Sequence, residues 1–529
     1  MNLLEKITLV ALNVALIAST ALYGVWEDKV MLFAPLLVLI YLVLALWAIA
    51  ACRSRGVGPP THKGLYPGGE YLSKKTLSRS LASSLPYSQT PPDAPGGAAG
   101  DQKLAVSAEQ QEDREQRPDS VRQASALTFH ILHSTTYGGL RPPPGGIMLL
   151  LFCLYSAILI PFSVIPYEAK ISTLRFGCYL ATYWAVSSIC SRFPRRRAVW
   201  LTVFSALVLV ALYSLVQHKL NPEMLFGHLR YTNYGERLGG TYICPNHIAH
   251  LFQMWIPLCL VFLFIPQFGW FWRICFGYAL PLFVLLIYQT QSRAGLLGLI
   301  AGVATTGLLL MLRKSRRAFY FALLVVPLLG AGALGGLWAG SSMFRERMQP
   351  VVKFVDHQFS KTDIDDEFKD FRPQTWLDSL GMIKERPLFG VGPGNYGQTF
   401  PEYRQRVLAN RGETVHPHNE YIELLAEYGL VGALLVIGGL GCILVPLIRL
   451  IKTSDRLVHV LPAIALLAAF AGTAVHGFFD FELRIFPNAL MLSFLAGCAV
   501  APLVRQRSGT RSQRSEVGSQ KSESAPPNQ

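Results

Sequence analysis

The feature that most constrains this chain is an apolar run of about 20 residues that recurs along most of its length. Runs of roughly 17 to 25 apolar residues cross the hydrocarbon core of a bilayer as helices. About twelve such runs occur, at residues 7–23, 31–52, 147–166, 172–191, 198–216, 248–266, 274–289, 294–312, 319–339, 429–448, 457–476 and 487–504. With 51% hydrophobic and 15% charged residues, the composition also differs from that of soluble proteins. We therefore predict an all-α fold, a polytopic transmembrane bundle of about 12 helices.

The distribution of Lys and Arg predicts how the bundle is oriented. Basic clusters at residues 192–197, 313–317, 449–456 and 505–514 all fall on one side of the twelve-span topology. Cationic loops are retained in the cytoplasm, so both termini of this inner-membrane protein are predicted there. The formal charge of +15 then reflects topology and attraction to membrane lipids. A nucleic-acid partner is not expected.

The segments between the spans differ in composition. Residues 53–146 and 505–529 are polar and low in apolar residues, which predicts a disordered cytoplasmic insert and a disordered cytoplasmic tail. The insert at 53–146 separates spans 1–2, within 1–52, from spans 3–9, within 147–339. Outer loops at 217–247 and 340–428 mix aromatic, charged and glycine residues, which predicts folded, mostly helical loops; 429–504 holds spans 10–12.

The densest group of chemically active side chains begins at His416 and His418, at the outer mouth of the tenth span. From Asn419 onward the apolar spacing suits a helix, which places His418 near a helix N-terminus. The positive end of the helix dipole disfavours an imidazolium, so a neutral His418 could act as a general base. The alternative is an interfacial histidine that only caps or packs.

Three arginines, Arg237, Arg293 and Arg372, fall at outer helix ends or in outer loops of this topology. Arginine near a bilayer is costly unless it faces a cavity or pairs with an anion. Guanidinium groups match phosphate oxygens in bidentate geometry, so a lipid diphosphate would suit them. The alternative is that each side chain extends to lipid headgroups.

Several polar residues of the outer segments are candidates for supporting roles. Asn246 and Asn395 could bind sugar hydroxyls, although Asn is also a common turn residue. Asp480 and Glu482 lie at the last outer turn and could order the site. The nine cysteines show no disulfide framework or metal-binding spacing, so we expect no metal and no cofactor.

One motif resembles that of a known family. His418-Asn419 is followed, after nine residues, by Gly429-x-x-Gly432. This resembles the His-Asn-x9-Gly-x-x-Gly signature of the O-antigen ligase family of membrane glycosyltransferases. A glycine-rich segment at 387–396 and two arginine-containing segments, at 237–246 and 292–297, extend the resemblance over about residues 201–504.

The resemblance implies a metal-independent, inverting glycosyltransferase acting at the periplasmic face. Its donor would be a glycan on undecaprenyl diphosphate, and its acceptor a hydroxyl of lipid A core or of a growing polysaccharide. His418 would be the catalytic base, and the three arginines would bind the diphosphate. The supporting residues would be Asn419, His416, Asn246 and Asn395. Ligase, polymerase and protein O-oligosaccharyltransferase all stay open.

Two readings from other classes compete with this one. A polysaccharide transporter or flippase would also have twelve helices, but carriers often show internal repeats and ionisable residues in mid-span. The sequence has no obvious repeat, and its polar residues concentrate in the outer loops. A scaffold that gathers other envelope enzymes through residues 53–146 is the third hypothesis.

Overall fold

The computed structural model describes residues 142–191, 193–226, 228–230, 234–315, 372–405 and 414–523, together with Val14 and scattered positions between 317 and 349. The predicted spans at 7–23 and 31–52, apart from Val14, lie outside the described residues. So do the insert up to residue 141 and much of the span at 319–339. Side chains are described as far as residue 504 in the last helix.

Helices account for nearly all regular structure in the described part of the chain, as the all-α prediction requires. They are α1 (Gly146–Leu159), α2 (Pro166–Ile189), α3 (Phe193–Leu220), α4 (Pro245–Phe262), α5 (Gly269–Thr290), α6 (Arg293–Lys314), α7 (Arg372–Glu385), α8 (Tyr396–Thr399), α9 (Glu420–Thr453), α10 (Leu457–Gly477) and α11 (Phe486–Glu523). Short 3-10 turns lie at Ile160–Phe162, Pro266–Phe268 and Phe400–Tyr403. β1 (Met224–Leu225) and β2 (His228–Leu229) form a small antiparallel pair.

Six helices in the described part are long and apolar enough to cross a membrane: α3, α5 with the turn before it, α6, α9, α10, and α11 as far as Val504. The segment Gly146–Phe162 is apolar but shorter. α2 and α4 overlap the predicted spans at 172–191 and 248–266, yet α2 begins with charged residues and α4 begins with the polar residues Asn246, His247 and His250. The count of about twelve spans therefore stays a prediction.

Helix boundaries depart from the predicted spans for local reasons. α2 and α4 begin several residues earlier than predicted, each with Pro in its first turn, where the missing N–H costs nothing. α11 runs on to Glu523, into the tail predicted to be disordered.

The start of α9 lies ahead of the predicted span. α9 begins at Glu420, as the apolar spacing from Asn419 onward predicts, whereas the predicted span begins only at residue 429. The helix is broken at Gly429, which has φ 60° and ψ −167°. At this break Leu430 N–H donates to the Pro387 carbonyl at 2.8 Å, and Val431 N–H to the Leu388 carbonyl at 3.2 Å. The glycine-rich segment is thereby fastened against the interrupted helix.

The two ends of the bundle differ in chemistry. α6 packs against α10, α11 against α2, and α4 against both α5 and α10. At one end, Arg313 Nη1 donates to the carbonyls of Ile451 and Ser454, each at 2.8 Å, and Arg196 Nη2 donates to the Val458 carbonyl at 3.2 Å. The predicted basic clusters at the ends of α3, α6 and α9 therefore gather at one end. His418 lies at the opposite end, where α9 begins.

Candidate active site

His418 precedes Asn419, the N-cap residue of α9. The Asn419 side chain accepts hydrogen bonds from the N–H groups of Tyr421 (3.0 Å) and Ile422 (3.1 Å), as an N-cap does. Its Nδ2 donates to the Phe478 carbonyl at 3.0 Å, which ties the start of α9 to the turn after α10. His418 itself has φ 52°, a left-handed conformation that costs energy in a residue other than glycine. The Asn419 cap and the turn after α10 together hold this part of the backbone in place.

His418 pairs with a buried carboxylate. Its Nδ1 lies 2.8 Å from Asp480 Oδ1, with the His418 side chain 25% exposed and Asp480 1% exposed. Burial alone would raise the pKa of Asp480, but the attraction and hydrogen bond of His418 and the charge of Arg372 hold that pKa well below its ordinary value. A proton on Nδ1 that is donated to this carboxylate leaves Nε2 as a proton acceptor.

The second oxygen of Asp480 gathers two more of the predicted residues. Asn246 Nδ2 donates to Asp480 Oδ2 at 2.6 Å, and Arg372 Nη2 lies 3.9 Å from the same atom. Arg237 Nη2 donates to Asn246 Oδ1 at 2.6 Å, and its Nε donates to the Thr290 carbonyl at 2.8 Å. One carboxylate thus joins residues from three other segments of the chain.

Arg293 is the first residue of α6, three positions after Thr290, which anchors Arg237. Ser292 caps this helix by accepting a hydrogen bond from Gly295 N–H at 3.1 Å. Arg372 is the first described residue of α7. Helix N-termini carry partial positive charge, so the charge of Arg293 adds to that of the α6 N-terminus, which suits an anion.

Asn395 and His416 occupy other surroundings. Asn395 is buried, donates to the Pro393 carbonyl at 2.8 Å and accepts from Ile165 N–H at 2.5 Å, so it ties the glycine-rich segment to the α1–α2 connection. His416 Nδ1 lies 2.8 Å from Glu423 Oε1. His416 stacks on the Phe481 ring at 4.2 Å, and His418 meets the same ring edge-on at 4.8 Å. The site thus contains two histidine–carboxylate pairs on one aromatic ring.

A cluster around Arg484 was not foreseen from the sequence. Arg484 Nε lies 3.6 Å from Glu420 and 3.4 Å from Glu423, and its Nη1 binds Glu427. Burial lowers the pKa of Arg484, but the three carboxylates outweigh it and raise that pKa well above the ordinary value. The spacing of the glutamates, three and four residues apart, places them on one helix face and was the available signal.

A buried layer beneath the site supports the turn that carries Asp480. Glu482, fully buried, accepts from Asn488 Nδ2 at 2.9 Å and lies 3.2 Å from His476 Nε2 and 3.9 Å from His250 Nδ1. Burial raises the pKa of Glu482, but His476 and His247 outweigh it and lower that pKa. This layer fixes the turn between α10 and α11.

One group of side chains has the donor types of a metal site. Atoms of His247, Asp480 and Glu482 lie within 4.8 Å of one another. Both Asp480 oxygens, however, already accept hydrogen bonds, from His418 and Asn246. A cation bound there would share with His418 the carboxylate that orients it.

A comparison with known families agrees with the motif at His418. Residues 278–437 match the family model described as O-Antigen ligase, a range from α5 into α9 that includes Arg293, Arg372 and His418. No curated protein matches the chain. The resemblance is thus confirmed over this range, and it supports a multi-pass membrane glycosyltransferase of the O-antigen ligase or polymerase type.

Proposed function

We propose that this membrane protein of the O-antigen ligase and polymerase type transfers a glycan from undecaprenyl diphosphate to an acceptor hydroxyl, at the periplasmic face of a bacterial inner membrane. The observation that supports the proposal best is the joint attachment of His418, Asn246 and Arg372 to Asp480. Transfer from a lipid diphosphate needs a base and a cationic group at a fixed separation. One carboxylate holds both here.

In the proposed reaction His418 Nε2 takes the proton of the acceptor hydroxyl. The oxygen attacks the anomeric carbon of the donor sugar while the bond from that carbon to the diphosphate breaks, so the configuration inverts. Asp480 stabilises the imidazolium that forms, because a buried carboxylate 2.8 Å from Nδ1 attracts the new charge. The product is a glycan on lipid A core or on a growing polysaccharide.

Arg237, Arg293 and Arg372 receive the departing diphosphate. A preorganised donor aimed at developing charge stabilises a transition state by about 3 kcal/mol. The separation of 3.9 Å between Arg372 and Asp480 is longer than a hydrogen bond, so a phosphate oxygen can compete for this guanidinium. Since three guanidinium groups supply the positive charge, we propose that the transfer needs no divalent ion.

The test is glycan transfer in a deletion strain complemented with wild type or His418→Ala, followed by gels of surface polysaccharide and by membrane-protein abundance. We expect long glycan to disappear at unchanged abundance. His459→Ala is the matched control, because His459 lies in the first turn of α10, at the opposite end of the bundle, and should leave the glycan intact. Full activity of His418→Ala would overturn the proposal.

A further inference from the structure

α7 carries Arg372 to the site, and the two halves of this helix are attached differently. The second half packs on α9, because Met382 shares a buried apolar cluster with Ala426. The segment that follows α7 is fastened to α9 as well, through Val391 N–H, which donates to the Ala426 carbonyl at 2.9 Å. These contacts hold the second half of α7, whereas the position of Arg372 depends on contacts of the first half.

The contact of Arg372 with Asp480 is too long to hold the helix by itself. Arg372 Nη2 lies 3.9 Å from Asp480 Oδ2, beyond hydrogen-bonding distance, and the Arg372 side chain is 19% exposed. A partly exposed ion pair of this length contributes little to stability. The guanidinium can exchange Asp480 for a phosphate oxygen, provided that the backbone of α7 stays in place.

Trp376 attaches the first half of α7 to the segment that carries the base. Its Nε1 donates to the Pro417 carbonyl at 2.8 Å, and its ring meets the Phe478 ring edge-on at 5.6 Å. Trp376 follows Arg372 by four residues, so the two lie on one face of α7, about 6 Å apart along the helix axis. The attachment therefore acts one helical turn away from Arg372.

The acceptor of this hydrogen bond is the peptide group that leads into His418. Pro417 immediately precedes His418, which has φ 52°, and the Asn419 cap follows it. Phe478 belongs to the turn after α10, where its carbonyl accepts from Asn419 Nδ2 at 3.0 Å. Trp376 thus joins α7 to both of the elements that hold the backbone of the base.

We propose that Trp376 is a positioning residue that sets the separation between the base His418 and the cationic group of Arg372. The inference rests on the proposed function, since it concerns how the groups of that site are held. Trp376 acts through the backbone of α7 and of residues 416–418, so it is not itself a catalytic residue. A displacement of about 1 Å between groups that act together can lower a rate by about 100-fold.

Trp376→Phe tests the hydrogen bond, because it keeps an aromatic ring beside Phe478 and removes the indole N–H. We expect the transfer rate, in membranes with matched protein abundance, to fall by about tenfold. Tyr421→Phe is the matched control. It removes a hydroxyl that donates to the Ala474 carbonyl at 2.8 Å, at the same end of the bundle but between α9 and α10. Its rate should stay within about twofold of wild type.

A double-mutant cycle with Arg372→Ala separates positioning from a general loss of stability. In the Arg372→Ala background, Trp376→Phe should cost only about twofold, because the group whose separation it sets is gone. A purely structural role would lower the rate by the same factor in both backgrounds. An equal cost in both backgrounds, or a Trp376→Phe rate within about twofold of wild type, would overturn the inference.

Hydrogen exchange of the purified full-length protein adds a measurement that needs no turnover. Amides of residues 372–380 should exchange about threefold faster or more in Trp376→Phe, and at the wild-type rate in Tyr421→Phe. Unchanged exchange in Trp376→Phe would show that this bond does not hold α7, and the inference would fail. An inactive His418→Ala beside a fully active Trp376→Phe would reject the inference alone. A fully active His418→Ala would reject the proposed function, and the positioning role with it.

Discussion

At the scale of single residues, Asp480 decides how the site is arranged. Its two oxygens orient His418 and Asn246, and through Asn246 they also fix Arg237. The pKa of Asp480 is lowered despite burial, so the carboxylate is ionised at neutral pH. Because the folded-state pKa lies below the unfolded one, the pair stabilises the fold above the unfolded pKa, about 4. That contribution is lost only as the pH falls through the lowered value.

Asp480→Asn should reduce glycan transfer by roughly 100-fold or more, because an amide can hold the imidazole in the wrong tautomer and cannot stabilise the imidazolium. The measurement is the transfer rate in membranes with matched protein abundance. The shape of the site should be preserved, since the amide is isosteric. A rate within tenfold of wild type would show that Asp480 does not serve His418 in the reaction.

Arg372→Ala should lower transfer by about 100-fold, the effect of removing one preorganised donor from a developing charge. Arg372→Lys should recover part of the rate, because it restores the charge but not the bidentate fork. Arg386→Ala is the matched control, since Arg386 is exposed just beyond α7. Equal rates for Arg372→Ala and Arg386→Ala would remove Arg372 from the leaving-group site.

At the scale of secondary-structure elements, the start of α9 shows which structural features depend on the nearby sequence and which depend on a distant segment. The N-cap at Asn419 and the helix after it follow from side-chain hydrogen bonding and apolar spacing, and the sequence placed His418 at that helix start. The break at Gly429 was not predicted, because it depends on a partner segment. Residues 387–392 donate and accept backbone hydrogen bonds there, as in Val391 N–H to the Ala426 carbonyl at 2.9 Å.

Gly429→Ala should destabilise the protein by about 1–3 kcal/mol or more, because φ is positive there and a Cβ would lie 2.3 Å from the Leu388 carbonyl carbon and oxygen. Gly441→Ala lies in the same helix with no atom within 4 Å of the added Cβ. It should be neutral or stabilising by up to about 1 kcal/mol. Thermal unfolding of the two purified variants makes the comparison, and equal midpoints would contradict the strain at Gly429.

At the scale of the whole molecule, the bundle is polarised. Arg196 and Arg313 bind backbone carbonyls at one end, and the His418–Asp480 site lies at the other. The retention of cationic loops in the cytoplasm would place the site on the periplasmic side. α9 and α10 each run from one end of the bundle to the other. The side of the membrane that one end faces therefore determines the side that the other end faces.

Labelling of intact spheroplasts with a membrane-impermeant maleimide tests this orientation. Gln398→Cys, at the site end, should be modified in intact cells, whereas Ser454→Cys, beside Arg313, should be modified only after lysis. The peptides that carry the two positions are followed by mass spectrometry, so that native cysteines do not interfere. The opposite pattern would place the site in the cytoplasm and exclude a periplasmic transfer.

The sequence by itself determined the helical class, six apolar spans of the described part, the start of α9 just after His418 and the family motif at that start. These depend on periodicity, capping and short spacings, which act within a few turns of one helix. Only the tertiary structure decided that Asp480, 62 residues after His418 and 234 after Asn246, joins them, and that Arg484 meets the glutamates of α9. Such pairs form because packed helices bring their ends together and burial makes unpaired charges costly, and neither effect is visible in local spacing.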